Sequence, residues 1–132
     1  MSEFSFSKAE KLKSRKAISL LFEKGRNAYS FPVKILYHSK KAEFDTKNPV
    51  KCGVSVSSKK FRKAVDRNLL KRRMREAYRL NKKDLMEVAF TKNLELNLFI
   101  IYLAKEKEDF FRIQQGMISA LEQVIEDLSR KE

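Results

Sequence analysis

Arg67, Lys71, Arg75 and Arg79 recur at intervals of four within residues 62–81, a stretch without Gly or Pro and rich in helix formers. On a helix turning 100° per residue they form one ladder. Asn68 and Arg72 fall beside it, and the stripe covers about 140° of the circumference. An ordinary charged helix face is simply solvated. Here like charges stacked at i, i+4 repel by a few tenths of a kcal/mol per pair, so the pattern costs stability unless an anion compensates. Guanidinium groups outnumber ammonium groups on the stripe, and their planar fork of donors suits bidentate phosphate binding. The chemistry on offer is polyanion recognition, with an affinity that falls steeply as salt rises.

Chemistry by the chain itself has much thinner support. His38 is the only His and Cys52 the only Cys, and neither stands at a metal or nucleophile spacing. Cys52 lies on the apolar side of a predicted strand and reads as core. His38 ends another strand and reads as a solvated or capping residue. Glu106, Glu108 and Asp109 could bind a cation or form an acidic loop with Asp109 as a helix N-cap. No glycine-rich phosphate loop is present.

The charge is concentrated. Residues 59–83 carry 12 basic and 2 acidic side chains, +10 of the chain's net +13, whereas residues 84–132 are net acidic. A solubility surplus would be spread more evenly, so the basic segment reads as a dedicated phosphate-binding element. With 132 residues, 42% hydrophobic and only 3 Gly and 2 Pro, the chain predicts one folded domain over residues 1–132. A single Cys excludes an internal disulfide. Met1 to Phe6 lacks the order of a signal peptide, and the longest apolar run, Leu98–Ala104, is seven residues. These features predict a soluble, cytoplasmic protein with no membrane partner.

The elements that must position the stripe follow from local patterning. Ser14 caps a first helix over Arg15–Lys24, with Gly25 expected as a left-handed C′ residue. Ala17 and Leu21 share one side of it and Ile18 and Phe22 a neighbouring one, more apolar surface than a single packing contact requires. Phe31, Val33, Ile35 and Tyr37 alternate with other residues and predict a strand; Val50, Cys52, Val54 and Val56 predict a cleaner one. Between them, His38–Pro49 reads as a loop. On the basic helix, Val65, Leu69, Leu70, Met74, Ala77 and Leu80 form the expected buried side, where Asp66 and Arg73 either pair at i, i+7 or snorkel outward. Leu94–Leu103 predicts an interior strand covered on both faces. Phe110, Ile113, Met117, Leu121, Val124 and Leu128 mark a C-terminal amphipathic helix. The order helix, strands, helix, strand, helix predicts an α+β fold, a two-layer α/β sandwich with a small mixed sheet.

Residues 57–78, with Ser58-Lys59-Lys60 leading into Ala64-Val65-Asp66-Arg67-Asn68-Leu69-Leu70-Lys71-Arg72, resemble the signature of the protein subunit of bacterial ribonuclease P. That signature is Ala-Val-x-Arg-Asn-Arg-x-Lys-Arg, preceded by Ser-Lys-Lys. The likeness extends over most of residues 10–83, through Phe22-Glu23-Lys24-Gly25, the strand ending in Tyr37 and Gly-Val-Ser-Val at 53–56. Two departures stand out: Leu69 replaces the second Arg of the Arg-Asn-Arg triplet, with Arg72, Arg73 and Arg75 nearby to supply charge, and Ser57-Ser58 lengthens the preceding turn by one residue.

The resemblance implies a subunit of a ribonucleoprotein endoribonuclease that removes the 5′ leader from precursor tRNA. Hydrolysis would be carried out by the RNA, with Mg²⁺ held mainly by that RNA and no catalytic residue in the protein. Arg67, Asn68, Lys71, Arg72, Arg75 and Arg79 would dock on the catalytic RNA, one protein per RNA. Ile18, Phe22 and Tyr37, with Lys59 and Lys60 at the edge, would hold the single-stranded leader, since aromatic faces flanked by cations bind unpaired bases with little sequence demand. The resemblance further implies a left-handed βαβ crossover, against the usual rule. A structural RNA-binding protein such as a ribosomal component fits the charge equally well, and a metal-dependent protein nuclease using the acidic cluster is the third possibility.

Overall fold

A computed structural model describes residues 10–42 and 49–130. The Met1–Phe6 reading and residues 43–48 of the expected His38–Pro49 loop lie outside the described residues; His38–Lys41, read as the start of that loop, instead continue a strand by pairing with Leu94–Asn97. Within them the order is α1 (Arg15–Lys24), β1 (Arg26–Ser30), β2 (Val33–Lys41), β3 (Val50–Ser55), α2 (Ala64–Asn81), α3 (Lys83–Thr91), β4 (Leu94–Tyr102) and α4 (Phe110–Arg130). The four strands form one sheet in the order β1-β2-β4-β3, antiparallel except for the β3–β4 pair. The fold is α+β with a mixed sheet, as expected, and the basic helix lies in the connection between the two parallel strands.

Strand periodicity divides the sheet into two faces. Val33, Ile35, Tyr37, Cys52, Leu96, Leu98 and Ile100 enter the main core with Leu70, Met74 and Tyr78 of α2, Leu85 of α3 and Ile113, Met117 and Val124 of α4. On the opposite face, Leu36 joins Leu12 and Leu21 in a smaller cluster under α1. Besides the sheet and the α2–α4 layer, α1 therefore adds a partial third layer. That explains why Leu94–Leu103 is apolar at consecutive positions.

Three local features depart from expectation. Gly25 is extended, at φ −70° and ψ 155°, and not left-handed. Its requirement is spatial: a Cβ there would lie 2.3 Å from the Leu21 carbonyl oxygen, which accepts the Gly25 N–H. The strand expected from Phe31 begins at Val33, after a turn that pairs it with β1, a strand too polar to read from Arg-Asn-Ala-Tyr-Ser. The α2 helix is followed by α3 across Lys82, whose backbone stays right-handed helical at φ −84° and ψ −10°, so no Gly or Pro announces the break. The Lys82 ammonium is buried and pairs with Glu10 at 2.5 Å. Beside it the Leu12 N–H donates to the Cys52 carbonyl, covering the exposed edge of β3.

Candidate nucleic-acid interface

Leu70, Met74, Ala77 and Tyr78 are the buried residues of α2. The buried side is thus turned toward Tyr78, and Val65 (70% exposed) and Leu80 (37%) do not belong to it. A full aromatic ring outweighs the edge positions of the expected apolar face. Asp66 and Arg73 do not pair with each other. The Arg73 guanidinium donates to the Glu108 carbonyl at 2.7 Å, and Lys107 pairs with Asp66 at 3.2 Å, so both strap the β4–α4 loop to α2.

The stripe itself divides into two kinds of residue. Asn68, Arg72 and Arg75 are exposed and Lys71 is half-buried; none of their side chains has a hydrogen bond or ion pair within the described residues. Arg67 and Arg79 are partly committed. Arg67 donates from Nη1 to the carbonyls of Phe61 (2.7 Å) and Arg62 (2.9 Å), closing the turn that leads into α2. Arg79 binds Glu76, whose carboxyl is held below its ordinary value by that hydrogen bond. The turn is held further by the Ser57 hydroxyl, which accepts the Lys59 and Lys60 N–H groups, and by Phe61, packed on Tyr102 with ring centroids 5.8 Å apart. Lys59 and Lys60 are exposed, and Lys60 Nζ donates to the Leu103 carbonyl at 2.8 Å.

A second feature lies on the α1 face of the sheet. Phe22 is 62% exposed and meets Phe99 edge-on at 5.9 Å, while Ile18, Phe99 and Ile101 pack on the cluster beneath α1. The register sets Lys34 beside Ile101. Gly53, opposite Phe99, leaves room for the ring: a Cβ there would be 3.1 Å from Phe99 Cδ1. The result is an apolar strip beside α1 with Lys34 at its edge. Phe99, Ile101 and Lys34 were not among the residues singled out from sequence. The available signal was α1's size: a helix roughly 10 Å wide cannot cover strands roughly 30 Å long.

Tyr37 does not join this strip. It points to the other face, where its hydroxyl donates to Asp127 Oδ2 at 2.8 Å, and burial together with that carboxylate pushes its pKa up to about 12. The neighbouring Leu36 occupies the α1 face. In a strand a shift of one residue reverses the face, and Leu36 and Tyr37 are both apolar enough to serve either. Cys52 is buried, as read, and burial pushes its thiol pKa up. His38 is half-buried on the α1 side of β2. In the acidic loop, Asp109 Oδ1 accepts the Arg112 N–H at 2.8 Å, the N-cap alternative. No three His, Cys, Asp or Glu side chains converge on a metal site among the described residues, and no helix is long and apolar enough to cross a membrane.

Comparison with known proteins follows the same geometry. The family model for ribonuclease P matches residues 6–125. A ribonuclease P protein component from Porphyromonas gingivalis is 32% identical over 121 residues, 89% of this chain and 85% of that protein. Another, from Chlorobium phaeobacteroides, is 30% identical over 78% of this chain and 75% of the relative. Among solved structures, the Staphylococcus aureus RNase P protein shares the fold at a TM-score of 0.69 and 23% identity, covering 89% of this chain and 96% of that one. The Thermotoga maritima RNase P protein does so at 0.60 and 25%, covering 93% and 98%. The ribosomal alternative finds no support in these likenesses. With its basic helix set between parallel strands and its matches running nearly end to end, the chain belongs to the ribonuclease P protein family.

Proposed function

We propose that this chain grips the catalytic RNA of ribonuclease P with the exposed flank of α2 and holds the single-stranded 5′ leader of precursor tRNA on the strip beside α1. One observation carries the first half: Asn68, Arg72 and Arg75 stand exposed, their side chains without partners among the described residues, on a helix anchored by Leu70, Met74 and Tyr78. Cations fixed in this way lose little side-chain support when they meet phosphate, and each contact releases condensed counterions. Lys71, Arg67 and Arg79 extend the flank. Arg67 also holds the turn that carries Lys59 and Lys60.

On the second surface, Phe22 and Phe99 offer ring faces and edges to unpaired bases, with Ile18 and Ile101 beneath them and Lys34, Lys59 and Lys60 as the cationic border. Stacking of this kind tolerates leaders of many sequences.

Ribonuclease P is an endoribonuclease, and in this reading the RNA performs the hydrolysis. In the β4–α4 loop Asp109 caps α4, and the Glu108 and Glu106 backbone carbonyls accept Arg73 and the Tyr102 hydroxyl. Mg²⁺ belongs with RNA phosphate oxygens, which are hard ligands of the right kind. One copy per RNA in the cytoplasm completes the proposal. The purified chain alone should leave precursor tRNA intact, whereas with its cognate RNA at low Mg²⁺ it should raise both cleavage and leader-dependent affinity. Processing by the chain alone, or processing that survives destruction of the RNA, would overturn it.

A further inference from the structure

The helix α1 crosses the sheet from the β3 edge, where Leu12 bonds Cys52, to β1, which begins directly after Gly25. It therefore leaves sheet surface open on both sides. Phe22, Phe99 and Ile101 occupy one side. On the other, the strand register lines up Lys51, Asn97 and His38 in one row across β3, β4 and β2, with Lys40 and Glu95 paired in the next. Residues directly opposite in neighbouring strands have Cβ atoms roughly 5 Å apart, so an ammonium, an amide and an imidazole stand side by side. Lys16 of α1 borders the same groove, which has a volume of about 430 Å³, within the usual range of ligand sites.

Four polar groups of this groove have no side-chain partner among the described residues. Neither the half-buried His38 nor the half-buried Asn97 has a side-chain hydrogen bond within the described residues, and Lys16 and Lys51 are exposed and without an ion pair there. Among the described residues the groove's one carboxylate, Glu95, is paired with Lys40 at 3.4 Å. Within the described residues the groove thus sets two ammonium groups without an ion-pair partner beside an amide and an imidazole. Half-buried polar groups left unpaired in a concave site are better satisfied by a ligand that brings acceptors.

We propose that this groove is a second RNA-binding site, one that takes the phosphodiester backbone on the side of α1 away from Phe22. The proposal rests on the RNA-binding reading above but uses none of its residues. Lys16 and Lys51 neutralise phosphate, and Asn97 and His38 donate to phosphate or ribose oxygens. With the aromatic strip on its other side, α1 is a ridge between two RNA tracks.

The test is equilibrium binding of the full chain to two probes, the cognate catalytic RNA and a precursor tRNA with a long leader, across a salt series. The Lys16→Gln/Lys51→Gln variant should bind at least one probe about three- to tenfold more weakly near 0.15 M salt. Its salt slope should be smaller by roughly 1.4 to 1.8, the values for two single-strand or two duplex phosphates. Loss on precursor tRNA alone assigns the groove to substrate, and loss on catalytic RNA alone assigns it to the ribozyme; either supports the site. Unchanged affinity and slope on both probes would overturn it. Arg72→Ala, measured in parallel, separates the two proposals: a weakened Arg72 variant beside an unaffected lysine variant removes only the groove, while no binding by the unmodified chain removes both. As a check independent of substitution, acetylation footprinting of the unmodified chain should show Lys16 and Lys51 protected by RNA. Full reactivity of both lysines in the complex would also sink the site.

Discussion

Leu36 and Tyr37 are consecutive in β2 and serve opposite faces of the sheet: Leu36 packs beneath α1, while the Tyr37 hydroxyl reaches Asp127 on α4. Asp127 also accepts two hydrogen bonds from the Arg26 guanidinium, each 3.0 Å. Tyr37 is therefore part of a clasp between the β1–β2 hairpin and the C-terminal helix, away from the aromatic strip.

Tyr37→Phe should lower stability by about 1 kcal/mol, an ordinary hydrogen-bond loss, and leave leader affinity unchanged. The clasp also has a pH signature. The Tyr37 pKa is raised from 10.0 to about 12, so its contribution is complete below the unfolded value near 10 and disappears as pH rises through the folded value. Denaturant titrations between pH 9 and 12.5 should show a shallower alkaline decline for the variant. A parallel decline, or lost leader affinity, would remove Tyr37 from this role.

Arg67 and Arg72 should separate stability from affinity. Arg72 has no partner within the described residues, and Arg72→Ala should leave the melting temperature unchanged while reducing the salt slope of catalytic-RNA binding by about one. Arg67→Ala removes two hydrogen bonds to backbone carbonyls and should lower stability by roughly 1–2 kcal/mol in addition to weakening RNA binding. Paired thermal melts and binding isotherms read both effects. Equal melts for the two variants would contradict the distinction.

Phe22→Ala should weaken binding of precursor tRNA with a leader and spare binding of tRNA without one. At 62% exposure Phe22 contributes little to the core, so stability should fall by less than about 1 kcal/mol. Competition binding with the two substrates distinguishes these outcomes, and an equal loss on both would return Phe22 to a packing role.

The buried Glu10–Lys82 pair should be the most sensitive ionic contact in the fold. Both side chains are almost fully buried, so Glu10→Gln, which removes one charge of a buried pair, should destabilise the protein by about 3–5 kcal/mol. A loss below about 1 kcal/mol in urea unfolding would show that water reaches Lys82.

Local chemistry was legible wherever the chain makes its own pattern. Ser14 caps α1, Cys52 lies on the buried face of β3, Asp109 caps α4, and the Arg72 and Arg75 positions follow from helical spacing alone. In each case neighbours within four residues decide the outcome. The Arg-Asn and Lys-Lys pattern around α2 likewise carried the family and the kind of partner.

Other features depend on what lies across the fold. The choice between Leu36 and Tyr37 for the α1 face is one of strand parity, and two adjacent apolar residues carry no parity signal of their own. The partners of Arg73 and Asp66 come from a loop 35 and 41 residues away. The α2–α3 break at Lys82 is accompanied by a buried carboxylate 72 residues distant and by no breaker residue. The row Lys51–Asn97–His38 exists only because β4 inserts between β2 and β3. Helical and strand periods are local steric properties, whereas pairing and packing join segments far apart in the chain, and only the assembled sheet and helices could decide them.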